Sequence, residues 1–349
     1  MPQMDNTINI QDKIVGENQP TFIIAEIGIN HNGKLELAKK LIRAAKDAGA
    51  DAVKFQKRDL KSLYKKDVYE NPNKDSQSTS YLFDVFRKCE LSNKEFSELK
   101  KYCDHLGIIF FCTPFDIKSA QFLSNLNVPV FKISSADLTN IPLIDFIISK
   151  NKPLILSTGM SQMPEIDFTY NFLKKRNARF SFMHCVSTYP PAFKDVNLKM
   201  INVLKDRYQV PIGYSGHERG IIVPIVAVGL GASIIEKHFT LNRSWDGPDH
   251  NISLTPSGFK KMVDRIKVVE SALGSSQKKL SRGEYLTREV FAKSLVARKK
   301  IVKGEVITYK MIDVKGPGKG ISPQMIDSII GKKAKRNINK YDFFYQLDI

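Results

Sequence analysis

Residues 210–239 read VPIGYSGHERGIIVPIVAVGLGASIIEKHF. Two short apolar runs, 210–214 and 232–236, enclose a helical pattern at 222–229. Apolar runs of this length without polar alternation suit strands buried on both faces, as in a parallel sheet covered by helices. The same rhythm runs back through the chain. Further strand candidates fall at 21–29, 52–56, 108–112, 130–133, 153–157 and 180–184, with helical patterns at 35–48, 93–106, 117–125, 143–150 and 196–205. A helix at 256–273 ends the series. About eight strand–helix units in roughly 270 residues is the size of a (β/α)8 TIM barrel. An open doubly wound sheet is the competing arrangement, but no G-x-G-x-x-G follows the first strand.

A polar insertion at 58–80 interrupts the rhythm, and GSSQKK at 274–279 reads as a connection. Beyond residue 288 the pattern changes to short runs at 294–297 and 306–308, a glycine-rich turn at 316–320 and a short helix at 323–330. The expected organisation is a catalytic barrel over 1–274, a linker over 275–287 and a small domain over 288–349.

The 54 Lys and Arg against 36 Asp and Glu give a net charge of +18. Such a surface attracts anionic small molecules. It also fits nucleic acid, but no aromatic-interleaved basic repeat, helix-turn-helix or zinc-finger spacing accompanies it. No apolar run is long enough to span a bilayer, and the first twenty residues lack an apolar signal core. The expectation is a cytoplasmic enzyme that engages neither membrane nor nucleic acid. Cys89, Cys103, Cys112 and Cys185 show no paired metal spacing and read as reduced thiols.

In a TIM barrel the C-terminal ends of the strands carry the active site, and the polar residues fall there. The first strand ends at Glu26, the second supplies Lys54 and Gln56, and the third Thr113. The fourth supplies Lys132, Ser134 and Ser135, the fifth Ser157, and the sixth His184, Ser187 and Tyr189. The seventh gives Ser215 and His217, and the eighth Glu236 and His238. Lysine and glutamate inside strands are costly unless paired or used. Lys54, Lys132, Thr113, Ser135 and Ser157 together suit a phosphorylated carboxylate, because lysine supplies charge and hydroxyls supply directed donors. The bland alternative pairs each lysine with a nearby acid. His217 and His238 lie on neighbouring strands, on the faces of Ser215 and Glu236 by the period-two rule. Both imidazoles therefore point toward one divalent ion with open positions, of the Mn, Fe, Co or Zn type. A lone histidine at a strand end is more often a satisfied core residue.

The polar strings carry a resemblance. EIGINHNG (26–33), KFQ (54–56), CTPF (112–115), KISS (132–135), STGM (157–160), HCVSTYP (184–190), GYSGH (213–217), EKHF (236–239) and GPDHNISL (247–254) fall in order along the strands. Together they resemble the sialic acid synthase family, which includes N-acetylneuraminate, legionaminate and pseudaminate synthases. The tail, with 315–320 and 330–333, is similar to that family's antifreeze-like (SAF) domain. The resemblance implies a TIM barrel followed by a SAF domain, in a domain-swapped homodimer. It implies Mn2+, with Mg2+ or Co2+ as alternatives, held by His217 and His238. It places phosphoenolpyruvate against Glu26, Lys54, Thr113, Lys132, Ser135, Ser157, Ser187 and Ser215. It places an N-acetylated mannose-type sugar against Gln77, Tyr189 and Asp249. Catalysis falls to Glu26, His217 and His238. Two positions depart from the family pattern. Gln77, with Asn73 nearby, stands where an asparagine is usual, and Gly316, flanked by Lys315 and Lys319, stands where an arginine is usual. The expected reaction joins phosphoenolpyruvate, N-acetylmannosamine and water into N-acetylneuraminate and phosphate. A legionaminic or pseudaminic acid synthase, a metal-dependent aldolase and a basic glycan- or nucleic-acid-binding module are the competing readings.

Overall fold

The computed structural model of the chain describes residues 6–74 and 76–349, without the side chains of residues 74 and 77–79. A hairpin comes first, β1 (Thr7–Ile10) against β2 (Lys13–Gly16). The barrel strands follow: β3 (Phe22–Gly28), β4 (Ala52–Lys57), β5 (Ile109–Pro114), β6 (Phe131–Ile133), β7 (Leu154–Ser157), β8 (Phe180–Cys185), β9 (Ile212–Gly216) and β10 (Ile234–His238). All neighbours are parallel, and β10 pairs with both β9 and β3, so the sheet closes and the open doubly wound arrangement is excluded. Every residue of these strands is buried except Gln56, which is partly exposed. That double-sided burial is why the strands read as unbroken apolar runs.

The covering helices start and stop where local chemistry dictates. Ser92 and Glu95 form a reciprocal capping box at the head of Asn93–Leu106, and Gly107 ends it at φ 65°, a backbone region glycine adopts without strain. Asp116 accepts from the Ser119 N–H to open Ile117–Asn125. The β1–β2 hairpin, which the polar N-terminal residues did not announce, buries Ile8, Ile10 and Val15 in the barrel's own hydrophobic cluster. The insertion contains Leu60–Leu63, Lys66–Glu70 and the start of Gln77–Cys89, fastened by Phe83 beneath Tyr64 at 4.6 Å and Tyr69 at 6.2 Å. Among the described residues no helix is long and apolar enough to cross a membrane.

The chain divides into compact units at Met1–Gly274 and Ser275–Ile349. The smaller unit packs Leu295, Ile301, Ile307, Ile329, Ile338 and Phe344 into its own core, with β11 (Ser294–Ala297) antiparallel to β12 (Ile312–Lys315). The segment 275–287, expected as a linker, holds the start of the helix Arg282–Phe291, because Ser281 and Glu284 supply a second capping box. The short run at 306–308 makes a single bridge, Val306 to Lys333, and the short helix expected at 323–330 is a 3-10 turn, Pro323–Ser328.

Candidate active site

The barrel strands end around one cavity of about 440 Å³, within the range of small-molecule sites. Glu26, Lys54, Thr113, Lys132, Ser135, Ser157, Ser187, Tyr189, Ser215, His217, His238 and Asp249 all line it. Gln77 begins its helix, but its side chain lies outside the described residues. His184, the remaining strand-end histidine, turns away and bonds the Val196 carbonyl at 2.6 Å.

The deep part of the cavity is a charge network. Lys54 Nζ lies 2.8 Å from Glu26 Oε2, donates to Thr113 Oγ1 at 3.0 Å and stands 3.8 Å from Glu236 Oε1. Lys132 Nζ donates to Ser157 Oγ at 2.6 Å and stands 4.0 Å from the same Glu236 oxygen, which accepts from Ser215 at 3.1 Å. The bland pairing of lysine with acid and the functional grouping thus coexist: the lysines are paired with each other's acids inside the cavity. The two carboxylates are pushed apart. Burial raises Glu26 above the ordinary carboxylate range despite Lys54, and nearby Glu236 adds to the rise. Burial works the same way on Glu236, but Lys132, Lys54 and Ser215 outweigh it and hold that group below its ordinary value. Burial lowers Lys132, whereas Glu236 and Glu26 overcome burial and raise Lys54.

His217 and His238 face each other with ring centres 5.4 Å apart. Two imidazoles sharing one ion at ordinary metal–nitrogen distances hold their centres about 4.5–5.5 Å apart. His217 Nδ1 lies 2.9 Å from the Val186 carbonyl oxygen. A carbonyl only accepts, so that nitrogen carries the hydrogen, and in the neutral ring Nε2 keeps its lone pair for a ligand. Burial lowers His217, but Cys185, the Val186 carbonyl and Glu236 outweigh it and raise the group, so an incoming ion has to displace a proton from this ring. Cys185 Sγ is 3.8 Å from the same Nδ1. Burial drives His238 well below its ordinary value, into the neutral form that ligates. Among the described residues no three His, Cys, Asp or Glu side chains converge as a ready-made cluster. The donor set therefore fits an open two-histidine site, with the other positions left to water and substrate.

The outer part is looser. The Tyr189 ring stacks on His217 with centres 4.0 Å apart and is 52% exposed. Asp249 Oδ2 stands 3.5 Å from His238 Nδ1, beyond a good hydrogen bond, and burial raises its carboxyl. No sequence motif marks Arg58, yet it lines the cavity at 8% exposure between Phe86 at 3.9 Å and Phe115 at 4.3 Å. Its only hydrogen bond among the described residues goes to Gln56 Oε1 at 2.5 Å, and Gln56 donates to Glu26 at 2.9 Å. The available signal was its place just past β4, four residues beyond Lys54. Glu236 and Cys185 also line the cavity without an assigned role.

Residues 41–278 match the NeuB family and residues 292–345 match the SAF domain. The N-acetylneuraminate-9-phosphate synthase of Homo sapiens is 39% identical over 94% of this chain and 92% of its own length. The N,N'-diacetyllegionaminic acid synthase of Legionella pneumophila is 40% identical over 93% of each. The crystal structure of N-acetylneuraminic acid synthetase from Leptospira borgpetersenii, in complex with citrate, superimposes with a TM-score of 0.73 at 36% identity, covering 80% of this chain and 94% of that one.

Proposed function

The chain belongs to the NeuB family of sialic acid-type synthases, and from that membership we propose that it is a transferase condensing phosphoenolpyruvate with N-acetylmannosamine and water into N-acetylneuraminate and phosphate. The observation that carries this reading is the deep network, in which two lysines share one ionised glutamate beside three hydroxyls. An incoming phosphate and carboxylate compete with Glu236 for the ammonium groups and gain the hydroxyl donors. Ser135 and Ser187 complete the donor set around phosphoenolpyruvate. Tyr189 and Asp249 face the sugar, and Arg58 adds hydrogen-bond donors on that side.

In the proposed reaction the enol carbon attacks the open-chain sugar aldehyde and forms the C–C bond. The resulting oxocarbenium carbon takes a water, and the C–O bond to phosphate breaks, with the electron pair leaving on phosphate. Glu26 orients that water and accepts its proton at a carboxylate oxygen. The lysines hold the two reactants in attack geometry. His217 and His238 would hold a divalent ion, manganese first, with magnesium or cobalt as substitutes, which supplies Lewis acidity toward the aldehyde oxygen. We extend the proposal to a homodimer in which each protomer's SAF unit completes its partner's sugar site, with Lys315 and Lys319 in place of the arginine absent at Gly316. The likeness to the Legionella protein supports a second acceptor class, the 2,4-diacetamido-trideoxyhexoses.

The test is phosphate release with manganese, phosphoenolpyruvate and each acceptor in turn, in oxygen-18 water. The expected result is fastest release with N-acetylmannosamine and label in the product ketone. A preference for a diacetamido sugar reassigns the acceptor. Absence of phosphate release with every acceptor overturns the reaction.

A further inference from the structure

The two strands that end at the histidines carry a second set of charges on their other face. β9 and β10 pair Ser215 with Glu236 and Gly216 with Lys237. Alternation sends Ser215, His217, Glu236 and His238 into the cavity, and Tyr214, Glu218 and Lys237 to the opposite side, outside the cavity lining. There Lys237 Nζ donates to Glu218 Oε1 at 2.9 Å and to the Glu218 main-chain carbonyl at 2.5 Å. The Tyr214 hydroxyl donates to Glu218 Oε2 at 2.5 Å. The lysine side chain is 0% and the glutamate 1% exposed.

A buried ion pair is a poor source of stability, because desolvation offsets the attraction and apolar replacements commonly pack as well. Its placement offers a better reason. Glu218 directly follows His217, and Lys237 directly precedes His238. The pair therefore ties together, from behind, the two backbone segments that carry the imidazoles. Gly216 makes room for it: a methyl group there would meet Glu218 Oε2 and Tyr214 Cε1, each at 2.7 Å. In front, His238 Nδ1 has no hydrogen-bond partner among the described residues, so its ring is held through its backbone rather than by a side-chain bond at that nitrogen.

We propose that Lys237, Glu218 and Tyr214 form a positioning clasp that sets the spacing of His217 and His238 for a shared divalent ion. The inference rests on the reading of those histidines as the ion's holders. Lys237 and Glu218 touch neither substrate nor ion. They act through the neighbouring residues.

The experiment titrates Mn2+ alone into metal-stripped, full-length protein by calorimetry, without substrate. The double variant Lys237→Met with Glu218→Gln removes both charges, so that no lone charge is left buried. It is expected to bind Mn2+ about 10- to 100-fold more weakly, the usual effect of losing a partner that orients a ligand. It should also keep a cooperative unfolding transition and wild-type affinity for phosphoenolpyruvate measured without metal. Lys237→Arg, which keeps the ion pair, is expected to stay near the wild type. A cooperatively folded double variant with wild-type Mn2+ affinity overturns the clasp alone. A wild type that takes up no Mn2+ overturns the histidine reading and the clasp with it. Should the double variant not fold, Tyr214→Phe carries the test: weaker Mn2+ binding in the same direction supports the clasp, and unchanged binding overturns it.

Discussion

The deep and outer parts of the one cavity are built differently. In the deep part Lys54, Lys132, Glu26 and Glu236 come from strands, have side chains 2–5% exposed, and meet one another at 2.8–4.0 Å. In the outer part Tyr189 is half exposed, Arg58 has a single hydrogen bond among the described residues, and Asp249 falls short of one to His238. Strand ends are fixed by the hydrogen bonds of a closed sheet, whereas the outer groups sit on loops and at the start of the 58–80 insertion. In the proposed reaction, the contrast assigns attack by phosphoenolpyruvate and choice of acceptor to different structural material. A family can therefore keep the first while varying the second.

Substitutions should sort by region. The largest loss is expected at the seam between the parts: His217→Ala should lower turnover by about 10³-fold or more and abolish its dependence on divalent ions, measured by phosphate release after chelation and metal add-back. Lys132→Met should lower kcat/KM for phosphoenolpyruvate by about 10²- to 10³-fold, with the acceptor KM little changed. A parallel rise in both Michaelis constants would erase the boundary. Arg58→Ala should raise the acceptor KM roughly 10- to 100-fold, the scale of a charged hydrogen bond, and leave the phosphoenolpyruvate KM unchanged.

The smallest effect concerns stability. Glu26 is raised in the folded state, so folding favours its protonated form, and its contribution is present at acid pH and lost as pH rises through the raised value. Glu26→Gln should therefore be more stable than the wild type at neutral pH, with the gap closing as pH falls below the ordinary carboxylate range. A less stable variant at neutral pH would show that the Lys54 pair outweighs burial.

Much of the deep part was legible in the sequence. The strand at 52–56 and the helices at 93–106, 117–125 and 222–229 emerge within a residue of their expected ends, because buried parallel strands and amphipathic helices write strong periodicities. β9 and β10 each run two residues past the expected end, through Gly216 and His238, since the ladder continues after the apolar run stops. The outer part was harder to read. Arg58 sits in a polar stretch, and only its burial between Phe86 and Phe115, brought together by tertiary packing, marks it. The Lys237–Glu218 pair was hidden too, because sequence shows a charge beside each histidine but not that the two meet behind the sheet.

Crystals grown with phosphoenolpyruvate and Mn2+, with diffraction recorded on both sides of the manganese absorption edge, put the whole account at risk in one experiment. The expected anomalous peak lies between His217 and His238, in ligating contact with a nitrogen of each ring, with phosphoenolpyruvate across Lys54 and Lys132. Bound phosphoenolpyruvate with the manganese peak elsewhere, or with none, would show that these two imidazoles serve another purpose.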